Sequence, residues 1–137
     1  MSDLIMTRRS VNGVTILDLS GDIQMGQGNA YLHRTLHSLI DEGTTKVLVN
    51  LAKISYIDSS GLGELVSGFT TMEKAGGELK LLHLTERVSE LMMITKLLTV
   101  FDTFDDEQTA VESFGPVEPT VITQKLVHPS IRKSSIL

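Results

Sequence analysis

The chain has 137 residues, the usual length of one domain and enough to bury a single hydrophobic core. Its net charge of −5 makes it a poor electrostatic match for nucleic acid, and the absence of cysteine excludes disulfides and thiolate chemistry. There is no run of about 18 apolar residues and no apolar stretch in the opening MSDLIMTRRS, so we expect no membrane span, no secretory signal and a cytoplasmic location.

The first half of the chain alternates strand and helix patterns. Residues 3–21 read as two short strands around a turn at Asn12-Gly13, a pair that suits the positive φ angles of a hairpin. Residues 27–42 place apolar side chains at helical spacing, and a glycine follows as a stop signal. Residues 46–51 (KVLVNL) form a continuous apolar run, which is typical of a strand covered on both faces.

The second half continues this alternation. Residues 59–75 return to the helical period, and two glycines end them. Residues 78–84 have the pattern of another strand, and the pattern of residues 85–98 predicts a helix that begins at Thr85. A short strand, VFDTF, and a last helix over 105–114 follow.

This order of elements, β β α β α β α β α, predicts an α/β fold. We expect a small, mostly parallel β-sheet with an antiparallel edge strand from the N-terminal hairpin, and about four helices packed on it. Residues 1–114 hold nine Lys/Arg against sixteen Asp/Glu, whereas residues 115–137 hold three against one and contain all three prolines. We therefore predict a compact domain over 1–114 and a flexible or loosely docked tail over 115–137.

None of the usual catalytic or cofactor motifs is complete. GLGELV has Val66 where a dinucleotide fingerprint requires its third glycine, and GDIQMGQ has Gln27 where a phosphate loop requires lysine. His33 and His37 are one helical turn apart, but no third ligand is evident, so they read as surface histidines. A serine nucleophile elbow requires glycine where Ile57 stands. We therefore predict neither an enzyme nor a metal or cofactor site.

The stretch ISYIDSSGLGE places Asp58, Ser59 and Ser60 between a strand and a helix. In open sheets of this type, binding sites form where the carboxyl ends of strands meet the amino ends of helices. One of the three residues suffices to cap the helix, and no capping box is present. Gly61 and Gly63 cost the first turn up to about 1 kcal/mol each relative to alanine, which indicates a close approach to the backbone. The residues alone leave a capping role and a functional role open.

The segment VLVNLAKISYIDSSGLGELV resembles the signature of the STAS domain, and in particular that of the bacterial anti-sigma-factor antagonists (anti-anti-sigma factors). The segments GVTILDLSGDI, GGELKLLHLTERVSELMMITKL and VFDTFDDEQTAVESF also occur in the order and spacing of that family. The resemblance covers nearly all of residues 1–114 and none of the tail. It implies a regulatory protein, not an enzyme, with helices packed on a small β-sheet.

In that family, the serine directly after the aspartate is phosphorylated by a kinase-type anti-sigma factor and dephosphorylated by a metal-dependent (PP2C-type) phosphatase. The resemblance therefore implies phosphorylation of Ser59, with Ser60 as a secondary site. It implies that the unphosphorylated chain binds its anti-sigma factor and so frees the sigma factor. The residues implied to contact the partner are Asp22, Asp58, Ser59, Ser60, Gly61 and Gly63.

Two features depart from the family pattern. In the segment SGDIQMG, which precedes the first helix, Gln24 stands where many members carry an acidic residue, so Asp22 is the expected surface contact of that segment. The 115–137 tail extends beyond the last helix. The alternative is a STAS module that does not switch, a scaffold or adaptor subunit of a larger signalling assembly in which the serine is only structural. A homodimer is compatible with both interpretations.

Overall fold

The computed structural model describes residues 3–116, which form a five-stranded sheet and four helices. The strands are β1 (Ile5–Val11), β2 (Val14–Ile23), β3 (Lys46–Ile57), β4 (Glu78–Leu82) and β5 (Thr103–Phe104). The helices are α1 (Gln27–Asp41), α2 (Ser59–Lys74), α3 (Glu86–Ile94) and α4 (Glu107–Glu112). From residue 117 onward the predicted tail lies outside the described residues, so the division into a domain and a tail stays a prediction.

The strands lie side by side in chain order, from β1 at one edge of the sheet to β5 at the other. β1 runs antiparallel to β2, and the three remaining pairs are parallel. Each parallel connection passes through one helix, α1, α2 or α3, as a crossover between parallel strands requires. The predicted α/β class, the mostly parallel sheet and its antiparallel edge strand are confirmed.

The β1–β2 hairpin turns at Asn12-Gly13, as predicted. The two residues have positive φ angles of 49° and 82°, which is the backbone conformation of a type I′ turn. Asparagine and glycine adopt this conformation more easily than other residues because their side chains are short and polar or absent. The turn sets a register in which Val11 pairs with Val14 and Ile5 pairs with Ser20.

The sheet is covered on both faces because successive residues of a strand point to opposite sides. In β3, Val47, Val49 and Leu51 belong to the larger core cluster, which the apolar stripes of α1, α2 and α3 complete. Leu48, between them in sequence, belongs to a smaller cluster that includes Ala110 of α4. The prediction from KVLVNL of a strand covered on both faces is therefore confirmed. None of the four helices of the described residues is long and apolar enough to cross a bilayer.

The third helix begins where the sequence predicts and ends earlier. The side chain of Thr85 accepts a hydrogen bond from the first turn of α3, which confirms the predicted start. The helix ends at Ile94 and not at residue 98, because Lys96 has a φ of 63° and the Leu97 N–H donates to the Met92 carbonyl. β5 and α4 are also shorter than predicted, with two and six residues.

Candidate functional site

Asp58 and Ser59 lie at the carboxyl edge of the parallel strands. β3 continues past its predicted end at residue 51 to Ile57, where it pairs with Ile23, the last residue of β2. Asp58 follows directly, and α2 begins at Ser59. The segment between β2 and α1 reaches the same edge because β2 is the neighbour of β3. The fold therefore brings together the two strand–helix junctions that contain the predicted contact residues.

Asp58 is the N-cap residue of α2 and holds the junction together. Its Oδ1 accepts hydrogen bonds from the Gly61 N–H at 2.9 Å and from the Ser60 hydroxyl at 2.7 Å. Its Oδ2 accepts a hydrogen bond from the Met25 N–H at 3.0 Å. The backbone N–H of Asp58 donates to the Ile23 carbonyl at 3.2 Å. One residue thus fixes the start of α2 against the segment that joins β2 to α1.

Partial burial raises the pKa of Asp58, but the hydrogen bonds that its carboxylate accepts lower the pKa by more. The donors are the Ser60 hydroxyl and the N–H groups of Gly61, Met25 and Ser60. The pKa of Asp58 therefore lies below its ordinary value, and the side chain is a carboxylate at neutral pH. A negative charge at this position also suits the positive end of the helix dipole.

Ser59 and Ser60 differ in accessibility although they are adjacent. Ser60 is half-buried, and its hydroxyl donates to Asp58. Ser59 is exposed, and within residues 3–116 its hydroxyl makes no hydrogen bond to another group of the protein. Since Asp58 caps the helix, the Ser59 hydroxyl has no capping role and faces solvent in the first turn of α2.

The two glycines in the first turn of α2 differ in what surrounds them. A Cβ atom on Gly61 would lie 2.8 Å from Cγ2 of Ile23 and closer still to the Ile23 carbonyl oxygen. The close approach that the sequence predicts at Gly61 is therefore made by the chain itself. Gly61 is buried and therefore has a packing role, and its contact with a partner remains a prediction. Gly63 is exposed and has open space around it, so its partner contact remains a prediction.

Asp22 has only 4% of its surface exposed, which corrects the expectation of a surface contact. The reason is that β2 is an interior strand of a sheet that is covered on both faces, so consecutive residues are buried there, as they also are at Ile16 and Leu17. Asp22 and Ile23 are consecutive and both buried. A cleft of about 730 Å³ beside Asp22 is lined by Asp3, Leu4, Gln24, Met25, Gln27 and Arg34, among others.

Met25 is a residue of the junction that sequence reasoning missed. Its side chain is 77% exposed, while its backbone N–H is held by Asp58. Methionine is flexible and polarisable, which suits an apolar contact with a partner. Residue 25 lies between a strand and a helix, so no periodic pattern marks it. Its position beside Asp58 follows from the pairing of β2 with β3.

His33, His37 and Glu64 form a second polar cluster, between α1 and α2. His33 Nδ1 and Glu64 Oε2 are 2.5 Å apart, and the ring centroids of His33 and His37 are 4.2 Å apart. One ring nitrogen of each histidine and one oxygen of Glu64 lie within 4.8 Å of one another. The sequence showed no third ligand for the two histidines because Glu64 comes from the neighbouring helix, which the spacing within α1 cannot reveal.

Residues 6–110 match the sequence pattern of the STAS domain. The chain is 35% identical over 86 residues to the anti-sigma-B factor antagonist of Bacillus subtilis, and the match covers 63% of this chain and 77% of that protein. Its fold is similar to that of an anti-sigma factor antagonist from Mycobacterium paratuberculosis. That comparison has a TM-score of 0.73 at 17% identity and covers 82% of this chain and 94% of the other.

SpoIIAA, an anti-sigma factor antagonist and Bacillus cell fate determinant, has a similar fold in its unphosphorylated and phosphorylated forms. The TM-scores are 0.61 and 0.64 at 18% and 17% identity, over 80% of this chain and 96% and 98% of SpoIIAA. These relatives are regulators by name, which agrees with the prediction that the chain is not an enzyme. Because the STAS pattern spans most of its length, the chain belongs to the STAS domain family.

Proposed function

We propose that this STAS protein is an anti-sigma-factor antagonist that is switched off by phosphorylation of Ser59. When unphosphorylated, it binds a kinase-type anti-sigma factor and thereby frees a sigma factor. The observation that carries the proposal is the exposed Ser59 hydroxyl in the first turn of α2, next to the capping residue Asp58. A modifying enzyme reaches this oxygen without unfolding the helix.

The similar proteins support the proposal that this chain is an anti-sigma-factor antagonist. The Bacillus subtilis protein that is 35% identical is named an anti-sigma-B factor antagonist. SpoIIAA, which shares the fold, has structures in unphosphorylated and phosphorylated forms, and both are similar to this chain. A STAS fold is therefore compatible with a phosphorylated state, which supports a switch based on a local change of charge.

A phosphate on Ser59 changes the surface charge and leaves the fold intact. It adds about −1.5 to −2 charges and three strong acceptor oxygens. The helix dipole favours negative charge at the amino end of α2, and Asp58 still caps the first turn. The carboxylate of Asp58 repels the phosphate and so favours its orientation toward solvent. The modified chain presents a hydrated dianion where the unmodified chain presents a hydroxyl.

A partner that covers the junction contacts Ser59, the exposed side chain of Met25 and the open space over Gly63. Met25 supplies apolar contact area, and the missing side chain of Gly63 lets another backbone come close. Burying a dianion without a countercharge in such an interface costs several kcal/mol. A loss of about 4 kcal/mol turns a micromolar complex into a millimolar one, which is enough to dissociate it in a cell.

We assign the enzymes that set the switch by reaction class. The anti-sigma factor is itself a serine kinase and transfers a phosphoryl group from ATP to Ser59. A metal-dependent phosphatase of the PP2C type removes it by hydrolysis. Both act in the cytoplasm, where sigma factors bind RNA polymerase. Ser60 becomes a secondary site only when its hydrogen bond to Asp58 opens, so we expect Ser59 to be modified first.

The proposal is tested by incubating the full chain with ATP and each candidate anti-sigma kinase of its organism. Intact-mass and tandem mass spectrometry then locate the phosphate, and native gel electrophoresis follows the complex. We expect one addition of about 80 Da at Ser59 and loss of the complex. Ser59→Ala is expected to fold, resist modification and bind constitutively, whereas the matched control Ser60→Ala is still modified at Ser59. A complex that survives complete phosphorylation contradicts the proposal.

A non-switching scaffold subunit is the second candidate function. The observation in its favour is a pair of exposed apolar side chains at the end of α3, Met93 and Ile94, which a larger assembly would cover. A scaffold is expected to assemble equally well with Ser59→Asp and to lose assembly with Met93→Ser and Ile94→Ser. The antagonist is expected to show the opposite pattern, and analytical size-exclusion chromatography with light scattering separates the two.

A further inference from the structure

The helix pair α1–α2 carries the three side chains of the second polar cluster on facing surfaces. His33 and His37 are four residues apart in α1, so their side chains lie one turn apart on the same helix face. Glu64 comes from α2. A Cβ atom on Gly68 would touch the side chain of Leu36, so the missing side chain at Gly68 lets the two helices approach closely. Gly68 is one helical turn after Glu64, and Leu36 directly precedes His37. The close approach of the helices at this point therefore brings the three polar side chains together.

The three side chains have the chemistry and the spacing of a transition-metal site. Two histidines and one glutamate are a ligand set that binds Zn²⁺ and leaves a fourth position for water. Zinc–ligand bonds of about 2.0–2.2 Å place the ligand atoms of a tetrahedral site about 3.4 Å apart. The nitrogen and oxygen atoms of the cluster already lie within 4.8 Å of one another. Rotation of the exposed His33 side chain and of the Glu64 side chain brings the ligand atoms to this spacing.

His37 provides a second and independent observation. Its Nε2 is buried, and within residues 3–116 that nitrogen has no hydrogen-bond partner. Buried polar atoms of folded proteins are nearly always paired, and one that is not requires an explanation. Neutral imidazole is the commonest metal ligand in proteins, and coordination of a metal through Nε2 would give this nitrogen a partner. An ordinary ion pair between His33 and Glu64 gives Nε2 of His37 no partner, because it does not involve His37.

We propose that His33, His37 and Glu64 bind one Zn²⁺ ion, which links α1 to α2 and keeps a fourth coordination position for water on the exposed side of His33. The site uses none of the groups assigned to the phosphorylation switch. It therefore holds whether or not the chain is an anti-sigma-factor antagonist, and zinc binding is expected to be the same in Ser59→Asp as in the wild type.

Isothermal titration of the EDTA-treated and dialysed full chain with zinc chloride measures stoichiometry and affinity. We expect about one zinc ion per chain with a dissociation constant of about 1 μM or lower. Because the ion joins two helices of the folded state, zinc at about a hundred times this constant is expected to raise the Tm by about 10 °C. Cobalt(II) serves as a spectroscopic probe, since its visible absorption bands report coordination by the protein.

Variants separate this site from unspecific binding by histidine. His33→Ala and Glu64→Gln are each expected to weaken zinc binding at least tenfold. The third ligand, His37, is half-buried, so it is replaced by glutamine as a mild substitution. His83→Asn is the matched control, because it removes a histidine at a positive φ of 57°, which asparagine tolerates. His128→Asn removes the histidine outside the described residues, and both controls are expected to bind zinc as the wild type does.

Two results overturn the zinc site. The first is that about 1 mM metal produces neither a heat of binding nor cobalt absorption bands, although this concentration is far above any functional dissociation constant. The second is binding that survives His33→Ala and Glu64→Gln unchanged, or that is lost in His83→Asn or His128→Asn. Thermal unfolding without zinc checks that each variant is folded, so a misfolded protein is not mistaken for the loss of a ligand.

Discussion

Two polar regions of this molecule differ in whether their polar groups are paired inside the protein. On the face of the sheet that α4 covers, Arg9 lies between Asp18 and Glu107, with an N–O distance of 2.6 Å to each carboxylate. On the same face the buried Lys80 donates hydrogen bonds to the backbone carbonyl and the hydroxyl of Ser113. We call this region the α4 face. Its polar groups bind each other and thereby hold α4 to the sheet.

The second region is the Ser59 junction, which consists of residues 58–63 and Met25. Here Asp58 accepts its hydrogen bonds from within the protein, as the carboxylates of the α4 face do. The neighbouring Ser59 hydroxyl makes none within the described residues and is exposed. The comparison teaches that polar side chains stabilise the fold where their partners are internal. Polar side chains are available for recognition by another protein where a polar group has no internal hydrogen-bond partner.

The largest effect is expected from a negative charge on Ser59. Ser59→Asp is expected to weaken the complex with the anti-sigma factor at least 100-fold, about 3 kcal/mol, because the interface buries the charge without a countercharge. Stability to urea is expected to change by less than about 0.5 kcal/mol, since the residue is exposed and the helix dipole favours the charge. Isothermal titration measures the affinity.

The matched control is Ser59→Asn, which is close to aspartate in size and has no charge. It is expected to bind the partner within a few-fold of the wild type. If asparagine weakens the complex as much as aspartate does, the loss comes from side-chain volume, and the switch by charge is contradicted.

The next largest effect is expected at the glycines of the same helical turn. Gly61→Ala is expected to destabilise the fold by about 2–3 kcal/mol, because its Cβ would collide with the backbone and side chain of Ile23. Gly63→Ala meets open space and is expected to stabilise the helix by up to about 1 kcal/mol. Urea unfolding compares the two variants, and equal effects would show that Gly61 is not a packing position.

A smaller effect is expected from the charge of Asp58, and it depends on pH. The pKa of Asp58 is lower in the folded chain than in the unfolded chain, where it is about 3.9. The carboxylate therefore stabilises the fold above about pH 4, and this contribution is lost as the pH falls through the folded pKa. Asp58→Asn keeps a capping side chain and loses the charge, so we expect it to be about 1 kcal/mol less stable at pH 7.

Urea unfolding of the wild type and Asp58→Asn between about pH 7 and pH 3 measures that difference. It is expected to shrink as the pH falls below about 4, because protonation of Asp58 removes the charge that distinguishes the two proteins. Asp18 and Glu107 also have lowered pKa values, but they titrate in both proteins, so the difference isolates Asp58. A difference that stays constant with pH would contradict the stabilising role of the charge.

Much of the fold could be predicted because it depends on local chemistry. The turn at Asn12-Gly13 follows from residues that tolerate positive φ, and the start of α3 follows from the capping side chain of Thr85. The mostly parallel sheet follows from strands and helices that alternate along the chain. The position of Ser59 at the first turn of α2 could be predicted for the same reason, since the apolar strand stops just before it.

The parts that could not be predicted depend on contacts between distant segments. The burial of Asp22 depends on the segments that pack around the end of β2, which the local sequence does not mark. Glu64 meets His33 only because α2 packs on α1. The early end of α3 comes from Lys96 in the left-handed region, where neither glycine nor proline announces a stop.

The smallest effect is expected on the α4 face, although the two ion pairs of Arg9 there have shorter N–O distances than any hydrogen bond at the Ser59 junction. Arg9→Ala is expected to cost about 0.5 kcal/mol, because Arg9, Asp18 and Glu107 remain partly exposed and water screens their attraction. The loss is expected to shrink in about 1 M salt. Arg8→Ala is the matched control, since Arg8 pairs with Glu42 at the surface, and no measurable change in stability is expected.

Neither variant is expected to alter binding of the anti-sigma factor, because groups that are hydrogen-bonded inside the fold offer a partner no free acceptor or donor. A loss of that binding in Arg9→Ala would mean that the α4 face also takes part in recognition.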